Sequence, residues 1–191
     1  TINAIPAKIT ASDETICYGE PTPDLTASGG TNQQWYSNAA LTSLVNIGPT
    51  FNTGKFAVGV YTYYLTDKVN ECESEPDTVV LTITAIPSPP TSSDVTVCQG
   101  EIVPDLQATG TNVQWYDDAG TTNLVFSGNI FATGQTAPAT YNYYATQTIN
   151  GCESNVKSVK LTINPSPVFT NIQFTNQTAC ESNDGTITLT S

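Results

Sequence analysis

The chain has 191 residues, with 17 Asp and Glu against 5 Lys, no Arg and no His, for a formal net charge of −12. That balance excludes a nucleic-acid-binding surface, which needs a cationic footprint, and attraction to anionic lipid. The acidity describes a solvated, self-repelling surface, while an apolar content of 38% still provides for a core.

No apolar run reaches transmembrane length, so direct membrane insertion is not expected. The chain starts at Thr1 without Met, and it reads as a segment of something longer. Thr, Asn, Ser, Tyr and Gly are frequent, which suits strands and turns better than helices.

Taken in order, residues 1–3 read as the end of the last strand of a preceding repeat. Thr1-Ile2-Asn3 before Ala4-Ile5-Pro6 has the pattern of Thr82-Ile83-Thr84-Ala85-Ile86-Pro87 and of Thr162-Ile163-Asn164-Pro165. A first repeat then spans 4–85 and a second 86–164. The landmarks TICYGE, PDLTASGG, QQWYS, FNTG, YTYYLTD, ECES and TVVLTIT return as TVCQGE, PDLQATG, VQWYD, FATG, YNYYATQ, GCES and SVKLTIN. Tyr61, Tyr63, Tyr64 and Cys72 recur 80 residues later as Tyr141, Tyr143, Tyr144 and Cys152, and so constant a shift marks a tandem repeat.

Within each landmark, apolar residues alternate with polar ones. Tyr61, Tyr63 and Leu65 face one side of a strand and Thr62, Tyr64 and Thr66 the other; Val79, Leu81 and Ile83 are set against Thr78, Val80 and Thr82. About seven such runs per repeat, without any helical period, predict an all-β chain of tandem β-sandwiches. Short Pro-rich joints at IPSPP and NPSP predict limited folding back between repeats, hence a rod. Residues 165–191 open a third, different and truncated β repeat, with a tight turn at Asn183-Asp184-Gly185 before the alternating strand TITLT.

Five cysteines are present, one pair in each repeat and Cys180 beyond them. Pairing Cys17 with Cys72 and Cys98 with Cys152 treats both repeats alike and leaves Cys180 over. The alternative, Cys72–Cys98 with Cys152–Cys180, staples neighbouring repeats and strands Cys17. Closing a within-repeat loop contributes roughly 3–4 kcal/mol. Paired cysteines indicate an oxidising, extracellular setting. There is no CxxC and no His, so a zinc site is not expected.

Trp35 and Trp115 have the place of the core Trp of an immunoglobulin strand C, and Tyr61 and Tyr141 that of a tyrosine corner. If Trp35 and Tyr63 face inward, Tyr36 and Tyr64 face outward on neighbouring strands, as do Tyr116 and Tyr144. Such pairs stabilise a sheet by themselves, or offer a platform on which a sugar ring or partner surface stacks. Glu71, Glu73, Glu75 and Asp77 place carboxylates at period two around the last hairpin, a weak calcium candidate, because the second repeat has Gly151, Glu153, Asn155 and Lys157 there. Without His or Arg, Ser-His-Asp and Cys-His catalysis is excluded within this segment. The expectation is a protein that is not an enzyme and carries no cofactor.

The ordered pattern TVCQGE, QWYD, YNYYATQ, GCES and LTI resembles the immunoglobulin-like repeats of very large Bacteroidota surface proteins associated with gliding motility and type IX secretion. The closing TACESNDGTITLTS, with Cys180, Asp184 and Gly185, is similar to the opening of the repeat named after the gliding adhesin SprB. The resemblance implies an extracellular, outer-membrane-associated adhesin stalk. Its partners would be neighbouring repeats of the same chain, with surface glycans or other surface proteins as further candidates. Asp77-Thr78-Val79 resembles the short O-glycosylation site of that phylum, with Thr78 as acceptor.

Overall fold

The computed structural model describes residues 3–181 and 184–190. Thr1, Ile2 and Asn183, on which the preceding-strand and tight-turn readings partly rest, lie outside them. Every regular element among the described residues is a strand. The chain divides into two compact units, one of residues 1–88 with 148–155, the other of 89–147 with 156–191.

The first repeat supplies β1 (Thr10–Ala11), β2 (Glu14–Cys17), β3 (Leu25–Ser28), β4 (Gln33–Tyr36), β5 (Leu44–Ile47), β6 (Thr50–Phe51), β7 (Gly59–Val69), β8 (Cys72–Glu73) and β9 (Asp77–Thr84). They form two sheets. One has the order β1-β3-β6; the other runs β2-β9-β7-β4-β5, with β8 folded back on β7. Strand β2 runs parallel to β9, with Glu14 opposite Leu81 and Cys17 opposite Thr84, and the other neighbours are antiparallel.

The alternation explains the layers. On β9, Val79, Leu81 and Ile83 are buried while Thr78 is exposed. On β7, Tyr63 and Leu65 are buried and meet Trp35 of β4, Leu25 of β3 and Phe51 of β6 in one core. Trp35 is fully buried. Its Nε1 donates to the Gly48 carbonyl at 3.0 Å, which satisfies the one polar atom of the ring. Phe51 bridges it to Tyr63, with ring centroids 5.6 Å and 5.0 Å apart.

The second repeat has β10 (Thr91–Ser92), β11 (Val95–Cys98), β12 (Leu106–Thr109), β13 (Gln114–Tyr116), β14 (Leu124–Ser127), β15 (Ile130–Phe131), β16 (Ala139–Thr146), β17 (Thr148–Ile149), β18 (Cys152–Glu153) and β19 (Lys157–Asn164). Sheets β10-β12-β15 and β11-β19-β16-β13-β14 reproduce the first plan, again with a parallel β11–β19 pair. Trp115, Phe131 and Tyr143 repeat the aromatic core at 5.6 Å and 5.2 Å. The hairpin β17–β18 groups with the first unit. After it come β20 (Asn171–Thr175) and β21 (Thr186–Thr190), an antiparallel pair whose residues are all exposed.

Both tyrosine corners are present. The Tyr61 hydroxyl donates to the Ala57 carbonyl at 2.9 Å and the Tyr141 hydroxyl to that of Ala137 at 3.1 Å. Each ties the start of a long strand to the loop before it.

Candidate functional site

The cysteines depart from expectation. Cys17 is bonded to Cys152, with Cα atoms 5.6 Å apart, while Cys72, Cys98 and Cys180 are free. Neither Cys17–Cys72 nor Cys98–Cys152 forms. The parallel pairing of β2 with β9 is the reason. Cys17 sits level with Thr84, the last residue of β9, whereas Cys72 lies on the hairpin that precedes Asp77, its first. The two are separated by the length of β9, about 20 Å or more at ~3.3 Å per residue. A disulfide spans Cα atoms no more than about 7 Å apart. Cys98, level with Asn164, and Cys152, before Lys157, are separated in the same way.

The tyrosine pairs are in the expected register, Tyr36 opposite Tyr64 and Tyr116 opposite Tyr144. Tyr36 and Tyr116 nevertheless are only 6% and 7% exposed, so they do not present an open outward face. Tyr64 and Tyr144 are half-buried. At Tyr36 the reason is local to the hairpin: Glu73 folds back over β4. The Tyr36 hydroxyl donates to Glu73 Oε1 at 2.5 Å and lies 2.6 Å from Gln34 Oε1, and Thr66 Oγ1 donates to the same Glu73 oxygen at 2.7 Å. Burial first, then the adjacent Glu73 carboxylate, pushes the Tyr36 hydroxyl up to about 12.

The same contacts disperse the four acids of the weak calcium candidate. Glu73 faces Tyr36 and Thr66. Asp77 accepts the Ala11 amide at 3.1 Å and pairs with Lys8 at 3.0 Å. Glu71 pairs with Lys68 at 3.1 Å, and Glu75 is exposed. Among the described residues no three Asp, Glu, Cys or His side chains converge on a common point. Asn70 and Glu71 both have positive φ, 49° and 66°. Glu71 is therefore the second central residue of a tight hairpin turn, which is where Gly151 stands in the second repeat.

Thr78 is exposed on the strand beside Tyr64. One cavity escaped the sequence reading. It is an open groove of about 680 Å³ on the second repeat, bordered by Asp117, Val125, Phe131, Gln135 and Tyr144. At the position of Gln135 the first repeat has Lys55, whose Nζ lies 5.1 Å over the Tyr61 ring. Asp118 at the rim is held below its usual range by amides of its own turn, chiefly those of Asn123 and Thr122. In the sequence this groove is marked only by differences between the repeats, Gln135 for Lys55 in the loop after β15 and Asp117-Asp118 for Ser37-Asn38.

A family model described as Ig-like domain, CHU_C associated, matches the sequence twice, over residues 6–85 and 87–165. Comparison with curated proteins gives no match. Among solved structures, human mucin-like protocadherin EC1-2 aligns at 10% identity and a TM-score of 0.31, over 83% of this chain and 98% of that one. The tandem Ig repeats of Dlar align at 12% and 0.28, with 83% and 98% covered. Mouse cadherin-23 EC22-24 aligns at 13% and 0.31, with 87% and 67% covered. No ligand or partner passes to this chain from any of them. No helix among the described residues is long and apolar enough to cross a membrane.

Proposed function

The chain belongs to the family of CHU_C-associated Ig-like domains, and on that premise we propose that it is a non-catalytic spacer segment of a large bacterial cell-surface adhesin. In this reading 4–85 and 86–164 are successive repeats, 165–191 opens a different one, and the protein works outside the cell, anchored at the outer membrane and serving gliding and attachment. One observation carries the reading. What the two repeats share is architecture: Trp35 and Trp115, Phe51 and Phe131, the corners Tyr61 and Tyr141, all in core or turn contacts. Apart from buried exchanges such as Leu65 to Ala145 and Asp67 to Gln147, what differs between them is surface chemistry. Asp117-Asp118 stands where the first repeat has Ser37-Asn38, and Gly151, Asn155 and Lys157 where it has Glu71, Glu75 and Asp77. Selection that keeps a fold and varies its surface suits a structural unit better than a repeated binding site.

A binding module is the second reading, favoured by the groove beside Tyr144, which offers a half-buried aromatic edge next to carboxylates. In that reading a glycan stacks on Tyr144, or on Tyr64 in the first repeat, whereas Thr78 as an O-glycosylation acceptor belongs to the adhesin reading. A glycan array probed with this chain separates the two. The spacer reading expects no saturable binding. Saturable binding abolished by Tyr144→Ala would overturn it. Protease shaving of intact cells should release peptides of the segment; release only after lysis removes the surface assignment.

A further inference from the structure

We propose that Cys72 and Cys98 are the two open halves of a repeat-to-repeat staple, each built to bond the complementary cysteine of another repeat of this kind. The bond between Cys17 and Cys152 joins a β2-type cysteine to a hairpin cysteine one repeat further along the sequence. Cys98 is the β2-type cysteine of the second repeat, and Cys72 the hairpin cysteine of the first. Each reproduces the setting of its bonded counterpart.

At the β2-type position, the Cys17 amide donates to Glu20 Oε2 at 2.8 Å and the Glu20 amide returns to the Cys17 carbonyl at 3.1 Å. The Cys98 amide donates to Glu101 Oε2 at 2.8 Å and the Glu101 amide returns to the Cys98 carbonyl at 3.1 Å. The next amide, of Tyr18 or Gln99, reaches the last carbonyl of the partner strand, Thr84 or Asn164, at 2.8 Å in both. Gly19 and Gly100 turn the chain away at φ 95° and 91°. At the hairpin, Cys72 lies opposite Val69 and Cys152 opposite Ile149, across two-residue turns of positive φ. Both halves are therefore held rigidly by backbone hydrogen bonds whether or not the bond is made. Cys98 is exposed and Cys72 half-buried, and within one repeat the two types are too far apart to meet.

Closure forms one S–S bond and breaks two S–H bonds. The two protons and two electrons pass to a disulfide oxidant, which is reduced to two thiols. Glutathione disulfide serves that role in the test.

The test uses the full chain carrying Cys180→Ser, with residues 86–164 duplicated in place and the added copy mass-marked by Ile149→Val. After oxidation, non-reducing peptide mapping should find Cys17 bonded to the unmarked Cys152, and Cys98 of the first copy bonded to the marked Cys152. Cys72 and the added copy's Cys98 should still react with iodoacetamide. Alkylation of the first Cys98, its capture as a glutathione mixed disulfide, or its bonding to any other cysteine overturns the proposal. In the unduplicated Cys180→Ser chain two thiols should remain, and a Cys72–Cys98 bond within one molecule overturns it as well. The spacer reading does not depend on the outcome.

Discussion

Asp67 and Gln147 do the same work 80 residues apart in the sequence. Asp67 Oδ1 accepts the Thr31 amide at 2.9 Å and the Asn32 amide at 2.7 Å, and Gln147 Oε1 accepts the Thr111 amide at 2.9 Å. Both side chains are buried, and each fastens the turn before the tryptophan strand to the end of the long tyrosine strand. Removing the Asp67 acceptor breaks two part-buried hydrogen bonds to a carboxylate, at a cost of about 1–3 kcal/mol. Asp67→Ala should lower the stability of the first unit by that much in urea titration followed through Trp35. Gly30→Ala should do comparable harm, because a Cβ there would sit 2.9 Å from Asp67 Oδ1 and the residue holds φ +77°.

Cys152→Ser opens a loop of 135 residues. The unit containing Cys17 should lose roughly 2–5 kcal/mol, and dithiothreitol should do the same to the unsubstituted chain. Cys72→Ser should leave the unfolding midpoint unmoved. A Cys17–Cys72 peptide in a non-reducing digest contradicts this assignment.

The Tyr36 hydroxyl is held near 12, above the ordinary tyrosine value of 10.0. The folded state thus keeps a proton that the unfolded chain gives up first. The associated stability is complete below pH 10, declines as pH rises from there, and is gone above about 12. Tyr36→Phe should flatten that part of the stability–pH curve, read as the difference between the two proteins in urea titrations from pH 9 to 12.

The tyrosine corners should be worth about 1 kcal/mol each, the usual net value of one hydrogen bond. Tyr61→Phe and Tyr141→Phe should each lower stability by that amount, in separate units, with near-additive effects in the double variant. At the first hairpin, Glu71→Gly should stabilise by about 1 kcal/mol, since Gly adopts the left-handed conformation without a Cβ penalty.

The strands were legible because burial follows period two. Val79, Leu81 and Ile83 could be assigned to the core from spacing alone, and so could Tyr63 and Leu65; Trp35 was placed by its likeness to the Trp of an immunoglobulin strand C, since all four residues of β4 are buried. The register of Tyr36 on Tyr64 was legible too, since it follows from neighbouring strands in an immunoglobulin plan. The burial of Tyr36 was not: it depends on Glu73 folding back, and alternation cannot report a hairpin that covers its own sheet. The cysteine pairing failed because sequence symmetry favours like treatment of both repeats, whereas bonding is decided by which end of β9 each sulfur occupies. That end follows from the direction of β2, which no spacing records.

The direction of β2 has a mechanical consequence as well. Because β2 and β9 are parallel neighbours, the chain enters their ladder at Glu14 and leaves it at Thr84, from opposite ends of the paired stretch. Tension applied through the two flanks of a repeat slides one strand along the other, so the ladder's hydrogen bonds bear the load together. An antiparallel pair pulled from one end would peel open a bond at a time. The first repeat resists stretching by shear, and the β11–β19 pair gives the second the same property.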